Sequence, residues 1–252
     1  MSERSIDLNA DLGESFGAWS MGADTQLLEV VSSCNIACGF HAGDPLTMQR
    51  TVDTALANGV AIGAHPSLPD LVGFGRREMQ VNAPELSALV LYQIAALSGF
   101  VRAAGARLRH AKAHGALYAM VNRDAELAAA FTAAVLRADR ALMVYGPPRG
   151  ALRSSCDAQG IAYVGEGFAD RGYCEDGSLV PRARAGALLD PGAARTQGFA
   201  LACGQEIDTA DGRRIRPEIG SVCVHGDSVH ALELARSLRT DLLAAGLTIR
   251  AP

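Results

Sequence analysis

The sequence predicts an α/β fold, a seven-stranded TIM-like β/α barrel formed as one domain over residues 1–252. Three observations predict it. Short β-type apolar runs alternate with helical patterns almost throughout, as in repeated β-α units of a parallel sheet. Seven such runs and about as many helical patterns are present, and right-handed crossovers roll them into a closed or nearly closed barrel. Six of the runs end in ionisable or hydrogen-bonding residues set among glycines, and α/β barrels assemble their sites at the C-terminal ends of their strands. An open doubly wound sheet is the alternative, because strand order is not written in one sequence.

The expected strands are Ser5–Asn9, Ser33–Cys38, Val60–Ala64, Arg107–Ala111, Leu142–Tyr145, Ile161–Gly165 and Ser221–Val224. Asp24 is placed to cap a helix over Thr25–Val31. Asp44-Pro45 opens Leu46–Ala57, with proline near its favoured first position. Asn82-Ala83-Pro84-Glu85 opens Leu86–Ala104, and Asp124 opens Ala125–Arg137. Helices are further expected over Gly150–Gln159, Ala193–Ala202 and Ser228–Ala244. Two segments break the rhythm. Pro66–Val81 is a long loop ending in Gly73-Phe74-Gly75-Arg76-Arg77, of the kind that becomes a lid or binding loop. Glu206–Arg216 alternates around Asp211-Gly212 and reads as a β-hairpin.

Apolar residues make up 49% of the chain and charged residues 20%, which supports a sizeable core. The net charge of −4 and the lack of a basic tract argue against nucleic acid. No apolar run suggests an export signal or a membrane span of about 20 residues. The expectation is therefore a cytoplasmic protein whose six scattered cysteines are free thiols.

In the first strand Asp7, Asn9 and Asp11 alternate with Leu8 and Ala10, so all three share one face. Polar groups facing a barrel interior are costly unless they bind something, and Glu14 can join them from the loop. His41 lies between small residues at a strand end, whereas Asp44 reads as a helix cap. Cys34 and Cys38 have no partner pair at zinc spacing and read as buried thiols. Asp11, His41 and His65 come from three consecutive strands, and together form a candidate site for a hydrolytic divalent metal. Lys112, the only lysine, shares one face of the fourth strand with His114. A compact ammonium suits neutralisation of negative charge on an oxygen or phosphate, or acid/base work. Arg171 either clamps a substrate carboxylate or pairs internally with Asp170. His225 ends the last strand, and Asp227 after it suits a helix cap. Arg76 and Arg77 either reach the mouth of the site or are solvated. No phosphate-binding Gly-rich loop ending in Gly-Lys, no Gly-x-Ser-x-Gly elbow and no dinucleotide fingerprint occurs.

Taken in order, Asp7-Leu8-Asn9-Ala10-Asp11-Leu12-Gly13-Glu14, Asn35 to Asp44, Gly63-Ala64-His65-Pro66, Gly73-Phe74-Gly75-Arg76-Arg77, His114-Gly115-Ala116-Leu117-Tyr118, Phe168-Ala169-Asp170-Arg171 and Val224-His225-Gly226-Asp227 resemble the LamB/YcsF family. The resemblance implies a distorted seven-stranded barrel related to glycoside hydrolase and deacetylase barrels. It also implies ATP-dependent opening of 5-oxo-L-proline to L-glutamate, with two partner subunits, B and C. Magnesium with ATP, and a divalent metal at the barrel mouth, are the cofactors it suggests; self-association is left open. On this reading Asp11, Glu14, His41, Lys112 and His114 are catalytic. Lys112 neutralises charge, His114 or His41 is the base for water, and Asp11 and Glu14 bind metal or exchange protons. Asp7, Asn9, Arg76, Tyr118, Asp170, Arg171 and His225 bind substrate, with Arg171 on its carboxylate. The lack of a nucleotide motif puts part of the ATP site on a partner. Ala113 and Ala119 depart from the family pattern, where proline and asparagine are usual, and the loss at Ala119 bears on lactam preference. Two other readings remain: a metal-dependent deacetylase or amidohydrolase using Asp11, His41 and His65 without ATP, and a non-catalytic lactam-binding scaffold.

Overall fold

Strand β1 (Ser5–Leu12) pairs in parallel with both β2 (Ser33–Ala37) and β9 (Ser221–His225), and that double pairing closes the sheet on itself. The computed structural model describes residues 4–225 and 230–252. Between β2 and β9 the barrel continues through β3 (Ala61–His65), β4 (His110–Lys112), β5 (Met143–Gly146) and β6 (Tyr163–Phe168), every neighbour parallel. The seven-stranded α/β barrel is as expected, and the open sheet is not formed. A short β10 (Thr248–Ile249) adds to the start of β1 outside the ring, and β7 (Ile207–Asp208) with β8 (Arg214–Ile215) forms the hairpin expected around Asp211-Gly212.

Helices α1 (Asp24–Leu27), α2 (Pro45–Ala57), α3 (Ala83–Ala103), α4 (Gly115–Arg123), α5 (Ala125–Ala138), α6 (Ala151–Gln159), α7 (Pro191–Ala202) and α8 (Ala231–Ala244) fill the crossovers. Their starts follow the sequence. Asp44 accepts from the backbone N–H groups of Leu46 and Thr47, Asn82 from Glu85, and Asp124 from Glu126 and Leu127. Each satisfies N–H groups that the first helical turn leaves unpaired. Asp24 departs from its expected role: its carboxylate accepts from Gly13 N–H, so it ties down the turn after β1, and α1 is a single turn. The start expected at Ser228, and Asp227 as its cap, lie outside the described residues.

Helix α4 was not expected. It begins at Gly115 (φ +55), separated by two residues from a strand of three residues, and is itself too short a run for its period to stand out. Helix α3 is long and apolar enough, by length and composition, to cross a membrane, contrary to the expectation that no such run exists. It coats the barrel instead. Leu86, Val90, Ile94, Leu97 and Val101 repeat on the helical period and are buried in the core, while Tyr92 faces outward.

Candidate active site and metal centre

The inward face of β1 stacks three polar layers, as the alternation of Asp7, Asn9 and Asp11 implies. Asp7 lies deepest. Its carboxylate accepts from the hydroxyls of Ser32 (2.6 Å), Ser33 (2.7 Å), Ser221 (2.6 Å) and Tyr145 (3.1 Å). Burial pushes its pKa up, and those four donors oppose the shift. Above it, the Asn9 amide donates to Glu166 (3.0 Å) and Ser221 (2.7 Å), and its oxygen accepts from Asn35 (2.7 Å). Asn35 also donates to Asp11 (2.8 Å), and its oxygen meets His110 Nε2 at 2.7 Å. The Asp7 and Asn9 side chains therefore spend every described contact on neighbouring protein groups below the mouth.

Lys112 crosses the barrel in the uppermost layer. Its Nζ donates to Asp11 Oδ1 (2.8 Å) and Cys223 Sγ (3.2 Å) and forms an ion pair with Glu166 Oε1 at 2.7 Å. Burial would discharge this lysine, but the carboxylates, Asp11 above all, outweigh it and hold the ammonium charged well above the usual lysine range. Asp11 is correspondingly held well below the ordinary carboxylate range, as His65 and Lys112 overcome its own burial. Glu166 takes a further donor from the Tyr118 hydroxyl (3.2 Å). The sequence alone assigns no chemical role to Asn35, His110 or Glu166. All three are polar residues at inward strand positions, but only the barrel's register brings them beside β1.

Glu14, His41, His65 and His114 converge beside this layer, with candidate ligand atoms all within 4.8 Å of one another. Glu14 Oε1 is 3.3 Å from His41 Nε2 and 3.5 Å from His114 Nδ1, and His65 Nε2 is 3.0 Å from His114 Nδ1. His65 Nδ1 meets the Lys112 carbonyl at 2.9 Å, and His114 Nε2 meets the Phe74 carbonyl at 2.9 Å. A carbonyl only accepts, so each of those nitrogens carries its hydrogen. In the neutral rings His65 Nε2 and His114 Nδ1 are then bare lone pairs facing one another beside a carboxylate. That arrangement repels itself unless a cation or an added proton lies within it. Burial holds both His41 and His114 well below the usual imidazole range, so an added proton is not carried on those two rings. One carboxylate and three imidazoles, two of them oriented by backbone carbonyls, fit a divalent first-row metal. The expected set of Asp11, His41 and His65 thus has its two histidines at the centre. Asp11 stands at the edge, its Oδ2 3.4 Å from His65 and its Oδ1 engaged by Lys112 and Asn35.

The loop after β3 closes over the centre. Gln93 of α3 pairs with both backbone groups of Ser67 (2.8 Å each), which anchors the loop's start. Asp70 accepts from Gly73 N–H and from the Arg77 guanidinium, so Arg77 is an internal clasp. The Phe74 ring stands edge-on to His41 and His114, and Arg76 stacks on it at 4.8 Å.

Across the mouth, His225 Nδ1 meets both Asp170 oxygens at 2.9 and 3.0 Å, and its ring stacks on Phe168. His225 also stands in register with Asp11. Burial raises the pKa of Asp170, but His225 more than offsets it and the net shift is downward. Arg171 donates to the carbonyls of Ala187 (3.0 Å) and Val180 (2.7 Å), and burial lowers its pKa to about 10. A cavity of about 590 Å³ opens beside Glu166, lined by Tyr118, Phe168 and Tyr173 within and by Arg149 and Arg216 further out.

Fold and site together define a β/α barrel whose polar chemistry, drawn from most of its strand ends, is gathered at the C-terminal mouth. The chain belongs to the LamB/YcsF family, whose family model matches residues 6–252. It is 51% identical over 249 residues to the A subunit of 5-oxoprolinase from Methylococcus capsulatus, covering 98% of this chain and 96% of that one. The lactam utilization protein of Thermus thermophilus superposes with a TM-score of 0.92 at 41% identity, covering 98% of this chain and all of that one. A family 4 carbohydrate esterase from Streptomyces lividans shares the fold, with a TM-score of 0.53 at 10% identity over 98% of this chain and 91% of its own. That likeness is one of fold alone.

Proposed function

We propose that this chain is the lactam-opening subunit of a cytoplasmic 5-oxoprolinase, hydrolysing 5-oxo-L-proline to L-glutamate with ATP and two partner subunits, B and C. The observation that carries the reading is the 51% identity, over nearly the whole of both chains, to a protein named as the A subunit of 5-oxoprolinase. A five-membered lactam is a stabilised amide. ATP supplies the driving force by activating its oxygen as a phosphate ester, and no nucleotide motif in this chain suggests a complete ATP site of its own.

The residues divide the remaining work. Glu14, His41, His65 and His114 would hold a divalent metal, which when bound supplies Lewis acidity toward the carbonyl oxygen or the attacking water. Lys112, hydrogen-bonded to Asp11 and Cys223 and ion-paired with Glu166, holds the two carboxylates in place rather than reaching the substrate. Asp11, buried and kept ionised, supplies a fixed negative charge beside His65 at the edge of the centre. His225, fixed through Nδ1 by Asp170, presents Nε2 as the proton donor to the leaving ring nitrogen. Tyr118 and Glu166 border the cavity that would receive the lactam, and Arg76 stands over the loop that covers the metal centre. Arg171 engages two backbone carbonyls, which favours the role of loop clamp over that of substrate carboxylate ligand.

The test is glutamate release from 5-oxoproline and ATP by the purified chain alone and with subunits B and C. Turnover only in the mixture, lost on Glu14→Gln, supports the assignment. Turnover by the chain alone, dependent on metal and independent of ATP, supports instead the amidohydrolase reading that the four-residue centre also favours. Undiminished turnover of the mixture with Glu14→Gln supports a scaffold.

A further inference from the structure

Phe74 is the only non-glycine residue with positive φ (+54°) among the described residues. A bulky side chain in the left-handed region is strained by roughly 1–3 kcal/mol, and such a residue persists only where its surroundings impose the conformation. The surroundings here are the candidate metal centre. The Phe74 carbonyl accepts from His114 Nε2 at 2.9 Å, while its ring packs edge-on against His41 (5.5 Å) and His114 (5.2 Å). The flanking segment is built for close approach. Gly75 (φ +63) and Gly115 (φ +55) face each other, and Ala116 N–H donates to the Gly75 carbonyl at 2.9 Å. A Cβ at Gly75 would stand 2.8 Å from the His114 ring, and one at Gly115 would stand 2.5 Å from the Gly75 carbonyl oxygen.

We propose that Phe74 is a positioning residue of the Glu14–His41–His65–His114 centre: its strained backbone aims a carbonyl that fixes which nitrogen of His114 faces the metal, and its ring seals the centre from water. The inference rests on the metal reading above. The two halves separate by substitution. Phe74→Ala removes the ring and leaves a Cβ that disfavours the left-handed conformation, so the carbonyl turns away. Phe74→Gly also removes the ring but tolerates that conformation.

The experiment is Co²⁺ binding to the purified chain, followed by visible absorption and by the rate at which EDTA extracts the ion, with the metal-free melting temperature as a check on folding. Loss of an outer-shell partner typically weakens metal binding 10–100-fold, and that drop is expected for Phe74→Ala. Phe74→Gly is expected to retain affinity closer to the wild type, and both variants are expected to release cobalt faster. Phe74→Ala binding Co²⁺ with unchanged affinity and extraction rate would overturn the role of Phe74 alone. Failure of the wild-type chain to bind Co²⁺ would overturn the metal reading and this inference with it.

Discussion

His65 Nε2 and His114 Nδ1 lie 3.0 Å apart, and each ring has already committed its other nitrogen to a backbone carbonyl. Two lone pairs held this way, with Glu14 beside them, form a site that a bound cation or a shared proton stabilises. Adding Zn²⁺ at about 100 times its dissociation constant should raise the unfolding free energy by about 2.7 kcal/mol. His114→Ala should abolish the shift. Thermal denaturation with and without the ion checks both, and an identical melting curve in each case would contradict the fit of these residues to a metal.

Lys112 is the counter-charge for two buried carboxylates, so its removal leaves them facing one another. Lys112→Met should destabilise the chain by about 3–5 kcal/mol, because breaking a buried ion pair strands its partner. Adding Asp11→Asn and Glu166→Gln to that variant should recover part of the loss. Urea unfolding of the three proteins measures it, and a Lys112→Met variant as stable as the wild type would remove the lysine from its structural role.

Gly63 makes room for His110. A Cβ there would collide with His110 Nε2, the atom that pairs with Asn35. Gly63→Ala should therefore cost about 1–3 kcal/mol through overpacking. Gly99, in α3 with open space around it, is the control: Gly99→Ala should be neutral or stabilising by about 0.5–1 kcal/mol. Denaturant midpoints of the pair give the comparison.

Acid should weaken the fold well before ordinary carboxylates titrate. Burial holds His41 and His114 well below the usual imidazole range, and His110 at about 3. Below pH about 6.5 the unfolded chain takes up protons that these folded histidines refuse, so stability falls with pH by up to about 1.4 kcal/mol per unit for each. For His110 that loss continues down to pH about 3. Asp11, lowered in the fold, adds a further loss in stronger acid, whereas Asp7, raised in the fold, gains stability as pH falls. Urea unfolding between pH 7 and 4.5 should show the decline, and His110→Gln should flatten it by one proton's slope. A pH-independent midpoint would contradict the neutral assignment.

Much of this was legible in the residues before the fold was known. The alternation in β1 put Asp7, Asn9 and Asp11 on one inward face, and the polar strand ends marked the mouth. Which polar residue meets which was not legible, because the partners of Lys112 lie on β1, β6 and β9, related only by barrel register. The candidate metal set differs from the expected one, with Glu14 and His114 in place of Asp11, because Lys112 and Asn35 claim an oxygen of Asp11 from other strands of the barrel. Phe74 was visible between two glycines, but its left-handed backbone follows from the packing of His114 beneath it.

Opening of the lactam at the Glu14–His41–His65–His114 centre would make Glu14 essential to turnover. Glutamate production by the complete complex with B and C, reconstituted with Glu14→Gln in place of the wild-type chain, tests it most directly. The expected result is a loss of about 100-fold or more in kcat with complex formation and folding intact, as for a group acting on the reacting atoms. Wild-type kcat in that variant would contradict it.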